Sequence, residues 1–299
     1  MTMFNLRVAT LNIGGGEKTF EEFSHDTQQS RLEALEMLIK HLKADLLCLQ
    51  EVSQFIDADG LSHSLIENIN QSGDYDYYYF GETLSMGTHM QVKKDVMVKG
   101  VFNDWMDWSK GNAIHARIPF TRLGDPQRTG MPRNIPLYQP KTYEGNRDTD
   151  PRFVLLSRLN VAPFPFVATL HLTTLVGERQ PQPPNNKIEK AQLLRHQQIN
   201  RFLDLVNRYI LKEEQPLILA GDLNATKDES CVLQLLESGF VRLEPENEGP
   251  SHAGSGKMID HIFFYPRERL VDYQCHIDDG DLSKRASDHL PIVADMQIK

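Results

Sequence analysis

The sequence predicts a layered α/β fold in which two β-sheets pack together and helices cover them from outside. The first observation is a strand, helix, strand unit near the start of the chain. Residues 6–12 and 45–52 are apolar runs typical of strands, and the second run is nearly continuous, as in a strand buried on both faces. Between them, residues 31–43 repeat leucine and isoleucine at helical spacing. A strand buried on both faces indicates a layered structure.

A second unit of the same kind lies downstream. Residues 166–172 and 217–223 are its predicted strands, and residues 188–211 form a long amphipathic helix between them. A short helix over residues 232–237 follows and ends before Gly239. Further strand character occurs at residues 95–102, 113–118 and 153–161. Together these strands are numerous enough for two sheets.

Two segments are predicted to be long surface loops. Residues 121–152 are rich in glycine, proline and polar residues, and residues 173–186 contain the run QPQPP. Loops of this length in a compact domain are often functional, although a tolerated surface insertion explains them equally well. The sequence leaves their role open.

The composition is that of a folded globular protein. Of the 299 residues 40% are hydrophobic and 24% charged, and no apolar run reaches the roughly 18 residues that suggest a membrane span. No secretory signal is visible, and three cysteines fit a reducing compartment, so we expect a cytoplasmic protein. A net charge of −9 argues against extensive clamping of a nucleic-acid backbone. It does not exclude a nuclease, because bound cations bring positive charge to an acidic cleft.

Polar side chains recur at or near the ends of six candidate strands. A protein core does not accept an unpaired carboxylate or imidazole without a large cost in free energy. We therefore expect these side chains to meet a ligand or a metal at one edge of the sheets. In chain order the segments are TLN at residues 10–12, LQEV at 49–52, LHL at 170–172, GDLNA at 221–225, IDHIF at 259–263 and SDHLPI at 287–292.

These six segments resemble the motifs of the endonuclease/exonuclease/phosphatase superfamily of divalent-metal phosphoesterases, which includes pancreatic-type deoxyribonucleases and apurinic/apyrimidinic endonucleases. Each motif alone is weak, whereas all six in the same order over nearly the whole chain are specific. The resemblance implies a four-layer α/β sandwich of two mostly antiparallel or mixed sheets flanked by helices. Because the motifs run from residue 10 to residue 292, we expect a single domain over residues 1–299.

The resemblance implies a Mg²⁺ or Mn²⁺ site and no other cofactor. Such hard cations take oxygen ligands, and one or two carboxylates suffice because the ion keeps several waters. Glu51 is the expected principal ligand, and Asp288 is expected to bind the metal or its water. Asn12 offers either an amide oxygen to the metal or an NH₂ donor to a phosphate oxygen. Without the resemblance, a surface ion pair for Glu51 and a turn at Asn12 are strong alternatives.

Five residues are expected to carry the chemistry. In the family, the residues that match Asp222 and Asn224 contact the attacking water and the phosphate. Two residues apart, they would project to the same side of an extended segment, with an Asx turn as the alternative. The residue that matches His289 stands in line with the phosphorus as a general base or a phosphate-binding cation, held by the carboxylate that matches Asp260. His171 matches a position that stabilises the phosphate or its leaving oxygen.

Other residues near the motifs are expected to be structural. His261 follows the motif aspartate directly, so a strand would turn it to the opposite face. Arg195 with Gln198 on the predicted helix and Arg152 before a strand are expected to form scaffold hydrogen bonds, with a phosphate role for Arg152 as the alternative. Lys110 and Gly111 stand where pancreatic-type deoxyribonucleases have a glutamate, so a second histidine-orienting carboxylate is in doubt.

We therefore expect a metal-dependent phosphoesterase, with a phosphodiesterase or nuclease acting on nucleic acid slightly preferred. The alternative is a phosphomonoesterase or a lipid-headgroup phosphodiesterase of the inositol phosphate or sphingomyelin type. A catalytically inactive phosphate-binding scaffold would have lost some of the motif residues, and none is missing. A zinc hydrolase has no support, because the sequence contains neither an HExxH nor a CxxC pattern.

Two aromatic clusters, at residues 75–80 and 105–108, are candidates for stacking on bases, but core or strand positions explain them better. The sequence indicates no obligate protein partner. It leaves open the substrate, the number of metal ions and the oligomeric state.

Overall fold

The computed structural model describes residues 3–56, 62–88, 106–180 and 182–299. The strands, in chain order, are β1 (Phe4–Asn12), β2 (Leu46–Ile56), β3 (Ser62–Ser64), β4 (Tyr77–Ser85), β5 (Met106–Ala116), β6 (Thr121–Arg122), β7 (Asp125–Thr129), β8 (Arg133–Tyr138), β9 (Arg152–Arg158), β10 (Phe166–His171), β11 (Leu217–Asp222), β12 (Val241–Arg242), β13 (Asp260–Tyr265), β14 (Leu270–Ile277) and β15 (Ile292–Ile298). The α-helices are α1 (Gln28–Leu42), α2 (Leu65–Gly73), α3 (Asn185–Val206), α4 (Ser230–Glu237) and α5 (Asp281–Ala286).

Two sheets contain most of these strands. The first has the order β14–β15–β1–β2–β5–β4, with β3 paired to β2, and the second has the order β12–β13–β11–β10–β9–β8. Each sheet contains one parallel pair, β1 with β2 and β10 with β11, and its other neighbouring strands are antiparallel. Helices α1 and α3 connect the parallel pairs, because parallel neighbours require a crossover.

The sheets pack face to face and the helices lie outside them. One apolar cluster contains side chains of both sheets, including Val8 and Cys48 of the first and Val167 and Ile218 of the second. A second cluster joins α1 and α2 to the outer face of the first sheet, and a third joins α3 and α4 to that of the second. The predicted α/β architecture of two packed sheets flanked by helices is confirmed.

Local signals determine the bounds of α1. Thr27 caps the N-terminus, where its hydroxyl accepts the N–H of Ser30 at 3.1 Å, a contact that contributes about 1 kcal/mol in typical helices. Leu35, Leu38 and Leu42 bury one face of the helix against β1 and β2. Lys43 then adopts a left-handed conformation with φ of 48°, which ends the helix and redirects the chain into β2.

The strands and helices of both predicted strand, helix, strand units are confirmed within a few residues. The prediction of an uninterrupted loop over residues 121–152 is wrong, because β6, β7 and β8 lie in it. Strand β8 lies at the edge of the second sheet. Proline has no N–H, and at an edge the missing donor of Pro136 breaks no hydrogen bond between inner strands. The loop over residues 173–186 is confirmed up to the start of α3 at Asn185, apart from residue 181, which is not described.

Several other expectations have different outcomes. The strand predicted at residues 95–102 lies outside the described residues, as does Trp105. The aromatic run at residues 75–80 enters β4, as expected of strand residues. None of the described helices combines the length and hydropathy needed to cross a membrane. The single domain over residues 1–299 and the cytoplasmic location stay predictions.

Candidate active site

All eight predicted site residues meet at one edge of the two packed sheets. The parallel pairs place the ends of three strands there: Asn12 ends β1, His171 ends β10 and Asp222 ends β11. Six of the eight line a cavity of about 450 Å³, namely Glu51, His171, Asp222, Asn224, Asp288 and His289. The other two, Asn12 and Asp260, are buried behind it and hold lining residues in place.

Asn12 connects the two halves of the site. Its Nδ2 donates to Asp222 Oδ2 at 3.0 Å in the opposite sheet and to Glu51 Oε1 at 3.3 Å in its own. Its amide oxygen accepts the N–H of Gly14 at 3.0 Å. Asn12 therefore presents its NH₂ group to two carboxylates and holds both at the cavity.

A second hydrogen-bonded link between the sheets lies directly beneath Asn12. Gln50, which is fully buried, donates from Nε2 to the Thr169 hydroxyl on β10 at 2.9 Å and to the Thr10 hydroxyl on β1 at 3.2 Å. Because Thr169 precedes His171 by two residues and Thr10 precedes Asn12 by two, this network fixes the strand ends that carry the site.

Glu51 reaches the cavity through an unusual backbone conformation. Its φ is 52°, in the left-handed region, and the pairing of β2 with β5 shifts register between Leu49 and Val52. Such a conformation is costly for a residue with a Cβ and is typical of functional positions. Burial opposes ionisation, but Lys18, with its ammonium 3.6 Å away, and other neighbours hold the pKa of Glu51 well below its ordinary value. Glu51 is therefore a carboxylate at neutral pH.

His289 and Asp260 form the predicted pair. His289 Nδ1 lies 2.9 Å from Asp260 Oδ2, and the same oxygen accepts the Ser251 hydroxyl at 2.7 Å. Burial would lower the pKa of His289, but the charge and hydrogen bond of Asp260 outweigh it and raise the pKa to about 9. His289 is therefore an imidazolium at neutral pH, with Nε2 directed to the cavity 3.9 Å from Asp222 Oδ2.

Asp222 is the central carboxylate. Burial would raise its pKa, but the adjoining histidines, Arg179 and the Asn12 hydrogen bond lower it to about 2. It is therefore ionised at neutral pH, although it is almost fully buried.

The expectation that Asp222 and Asn224 share an extended segment is wrong. Asn224 has φ of 52°, and its N–H donates to Asp222 Oδ1 at 2.8 Å, which is an Asx turn. The turn directs Asn224 Nδ2 to the Leu172 carbonyl at 2.9 Å. Its buried Oδ1 has no partner among the described residues and remains available to a ligand.

His171 differs from His289 in its charge. Burial, together with the positive charge of Arg152, lowers the pKa of His171 to about 3, so the ring is neutral at pH 7. Its Nε2 lies 3.5 Å from Asp222 Oδ2. Lys110 bonds Asp150 at 3.3 Å and adds positive charge beside the ring. Lys110 stands where a carboxylate was expected to be missing, and its positive charge disfavours protonation of His171.

The donor set fits a hard divalent cation. Glu51 and Asp288 supply carboxylate oxygens, and the buried Oδ1 of Asp288 has no partner in the described part of the chain. Gly14 leaves space beside Asp288, since a Cβ there would come within 3.1 Å of Asp288 Oδ1. Asn12 Oδ1 accepts one hydrogen bond, from Gly14, and its second lone pair can bind a cation. Oxygen donors of this kind are the ligands that Mg²⁺ and Mn²⁺ prefer.

Two further groups include histidine: His252 with Asp288 and His289, and Asp222 with Asp260 and His289. Arg179 Nη1 lies 3.1 Å from His252 Nε2, where its charge repels a cation. In the second group, His289 Nδ1 is already bonded to Asp260. Lys18 likewise lies 3.6 Å from Glu51 Oε2, but hard cations such as Mg²⁺ prefer the oxygen donors of Glu51 and Asp288 to these imidazoles.

Three of the residues expected to be structural, His261, Arg195 and Gln198, make scaffold contacts. His261 Nε2 lies 2.8 Å from the Ala225 carbonyl, on the face away from the cavity. Arg195 donates to Glu229 and to the Thr173 carbonyl, and Gln198 accepts the Thr173 N–H at 3.0 Å. These contacts fix the chain just after His171. Arg152 is buried at the cavity, and its Nε has no partner among the described residues.

Sequence reasoning missed part of the cavity lining. His252 packs on His289 with ring centroids 4.4 Å apart and lies 3.7 Å from Asp288 Oδ2. The missed residues also include four charged side chains from separate segments: Lys18, Arg147, Asp150 and Arg179. Arg147 and Asp150 had one signal, because they belong to the predicted long loop over residues 121–152, and Arg179 had the same signal in the loop over residues 173–186.

The model of the Endonuclease/Exonuclease/phosphatase family matches residues 9–289, which include every residue of the site. The chain belongs to this family. Membership supports a metal-dependent phosphoesterase, because the family acts on phosphoester substrates and generally uses a divalent metal. A comparison with curated proteins found no match.

Solved structures with the same fold have low sequence identity. An endonuclease/exonuclease/phosphatase from Beutenbergia cavernae is 19% identical with a TM-score of 0.63, over 98% of this chain and 72% of that chain. A functionally unknown protein from Enterococcus faecalis is 18% identical with a TM-score of 0.60, over 98% and 100% of the two chains. Truncated Caenorhabditis elegans TDP2 is 15% identical with a TM-score of 0.59, over 98% of each chain. At these identities the likeness shows the fold alone.

The pairing of Asp260 with His289 predicts the effect of Asp260→Asn on the histidine. With the anionic partner removed, burial is no longer outweighed, so the pKa of His289 should fall from about 9 to its ordinary value near 6.5 or below. NMR titration of the ring protons in metal-free protein measures this. Asp204→Asn, on the exposed side of α3, is the control and should leave the titration unchanged. A pKa still near 9 in Asp260→Asn would contradict the assigned partnership.

Proposed function

We propose that this protein is a divalent-metal-dependent phosphodiesterase whose preferred substrate is nucleic acid. The proposal rests on the positions of three charged groups in the cavity. The ionised Glu51 lies on one side, the His289 imidazolium lies on the other, and Asp222 lies between them. This arrangement suits a phosphate, which needs cations around its oxygens and an ionised base beside the attacking water.

In the proposed mechanism, the His289 imidazolium donates from Nε2 to a phosphate oxygen. Asp260 stabilises that charge and keeps the ring oriented. Asp222, ionised and 3.9 Å from His289 Nε2, accepts a proton from the attacking water, which Asn224 Oδ1 helps to orient. His171, as a neutral ring, donates a hydrogen bond to the phosphate or its leaving oxygen. Each role follows from the charge state that the surroundings of the residue impose.

Glu51 and Asp288, with Asn12, would hold the divalent cation, with Mg²⁺ or Mn²⁺ proposed. When bound there, the cation would supply Lewis-acid stabilisation of charge on the phosphate and its leaving oxygen. Glu51 is kept ionised for this role by Lys18 and by the Asn12 hydrogen bond.

A nucleic-acid diester is preferred because the cavity carries cations from several separate segments: Lys18, Lys110, Arg147, Arg152 and Arg179. Within a chain of net charge −9 this is a local concentration of positive charge. The test is turnover of a substrate panel in Mg²⁺: single- and double-stranded DNA, abasic DNA, RNA, inositol phosphates and sphingomyelin. Cleavage of a nucleic acid supports the preference, whereas turnover of only monoesters or lipid would replace it with the alternative activity.

Activity should require added Mg²⁺ or Mn²⁺ and stop in excess chelator. Glu51→Gln, which is nearly isosteric, should weaken Mn²⁺ binding at least about tenfold, since a charged ligand is lost. Calorimetric Mn²⁺ titration measures the affinity, and circular dichroism verifies the fold. Glu82→Gln, at an exposed position of β4, is the matched control and should bind like the wild type. Full turnover of metal-stripped protein, or unchanged affinity in Glu51→Gln, would contradict the metal assignment.

His289→Gln should lower kcat by about 10²- to 10⁴-fold, the range typical of groups that act on the transition state. Asp260→Asn should lower it as well, and the double variant should be little worse than the poorer single variant, because the two residues act as a unit. The assay uses the best substrate of the panel. His276→Gln on β14 is the control, with wild-type turnover expected. If the losses of kcat in the two single variants multiply in the double variant, His289 and Asp260 act independently, which contradicts the assigned pair.

A further inference from the structure

Two arginines at the cavity lack an acidic partner. Arg147 lies in the 3₁₀ turn before β9 and Arg179 in the loop after β10, and both line the cavity. In the described part of the chain, no carboxylate lies within 4.0 Å of either guanidinium. Arg179 Nη1 lies 3.1 Å from His252 Nε2, and burial, followed by the charge of His289, keeps that imidazole neutral. It provides no counter-charge.

The acidic neighbours of these arginines are used elsewhere. Asp148, next to Arg147, accepts the N–H of Val176 at 2.6 Å through Oδ1. Glu178, next to Arg179, accepts from Arg195 at 2.7 Å and from the N–H of Leu175 at 3.0 Å. Each acid therefore anchors a loop instead of neutralising the adjacent arginine.

The same contacts connect the two loops. The bond from Val176 to Asp148 joins the segment that carries Arg179 to the segment that carries Arg147. Arg195 is itself held by Glu229 at 3.0 Å, which ties the second loop to α3 and α4. Two arginines are thus presented to one cavity by loops that brace each other, which limits the entropy lost when a ligand is bound.

Arg147 repels the other cations of this cavity, although nearby carboxylates attract them. The pKa of Arg152 is lowered, mainly by burial, and the positive charge of Arg147 adds to the lowering. Arg147 also opposes the protonation of Lys18, whose pKa Glu51 raises. An anion between these groups would relieve the repulsion, because the cations then have a shared partner.

We infer that Arg147 and Arg179 form a subsite for a second phosphate group of the substrate, adjacent to the phosphate that is cleaved. The inference rests on the proposed phosphoesterase function and adds a substrate requirement to it. Arginine suits this role because its planar guanidinium donates two parallel hydrogen bonds to a phosphate and stays charged at every relevant pH. Arg179 Nη1 lies 3.1 Å from His252 Nε2, and His252 packs on His289 with ring centroids 4.4 Å apart, so the second phosphate is next to the reacting one.

The chemistry recognised is a phosphoester that carries another phosphate nearby, whether the two belong to a nucleic-acid strand or to a small polyphosphorylated molecule. Two probe pairs distinguish these sources. The dinucleotides TpT and pTpT share one scissile diester and differ in a terminal phosphate. Inositol 4-phosphate and inositol 1,4-bisphosphate differ by one phosphate on a small ring.

The experiment compares wild type with the Arg147→Gln/Arg179→Gln double variant. Wild type should favour pTpT over TpT at least about tenfold in kcat/KM, the effect of roughly one charge-assisted hydrogen bond. The double variant should lose this preference, so that its kcat/KM values for pTpT and TpT agree within about twofold, and the ratio within one protein cancels any change in basal turnover. Arg122→Gln/Arg133→Gln, which removes two arginines lining a different groove, has the same change in net charge and should keep the preference.

Equilibrium binding of the same probes, with Ca²⁺ replacing Mg²⁺ to prevent turnover, tests the phosphate subsite separately from the proposed activity. If no probe is hydrolysed, the proposed activity fails, while arginine-dependent binding of the second phosphate still decides the subsite. The inference is supported if wild type prefers the probe with the extra phosphate and only the Arg147→Gln/Arg179→Gln variant loses this preference. The probe pair that shows the preference, dinucleotides or inositol phosphates, identifies the source of the second phosphate. Equal binding of both members of each pair by wild type, or a preference that survives in the double variant, would overturn it.

Discussion

The hydrogen bond from Asn12 Nδ2 to Asp222 Oδ2, 3.0 Å long, is the contact on which the site depends. It joins residues 210 positions apart in sequence, one at the end of β1 and the other at the end of β11. The two ends meet because each sheet contains one parallel pair and the sheets pack face to face. Gln50 repeats the connection one layer deeper through Thr169. The apolar core between the sheets thereby sets the positions of the polar groups at its edge.

The charge of each histidine in the site depends on its neighbouring residues rather than on its residue type. His289 and His171 are both buried, yet the pKa of His289 is raised to about 9 by Asp260, whereas that of His171 is lowered to about 3 by burial and Arg152. At neutral pH one ring is a cation and the other is neutral. The two histidines therefore suit different tasks, binding of phosphate charge and neutral hydrogen-bond donation. Asp222 stays ionised between them.

Sequence predicted the parts of this structure that have local signals. The apolar runs of β1, β2, β10 and β11 and the spacing of α1 and α3 are periodic patterns, and the polar residues at their ends identified the site. The turn at Asn224 was missed because an Asp-x-Asn segment is compatible with both an extended chain and an Asx turn. Strand β8 was missed because an edge strand tolerates Pro136. The positions of Arg147 and Arg179 depend on contacts such as Asp148 with Val176, which join separate segments and leave no pattern in the sequence.

The central claim is that the two sheets assemble one cation site beside one phosphate site at their common edge. Anomalous diffraction from crystals soaked in Mn²⁺ tests it most directly, because the position of the ion is observed independently of any substrate. We predict an anomalous peak within coordination distance of the Glu51 carboxylate, with Asp288 on the other side of the ion. A peak at His252 and His289 with none at Glu51, or no peak at this edge at saturating Mn²⁺, would contradict the account.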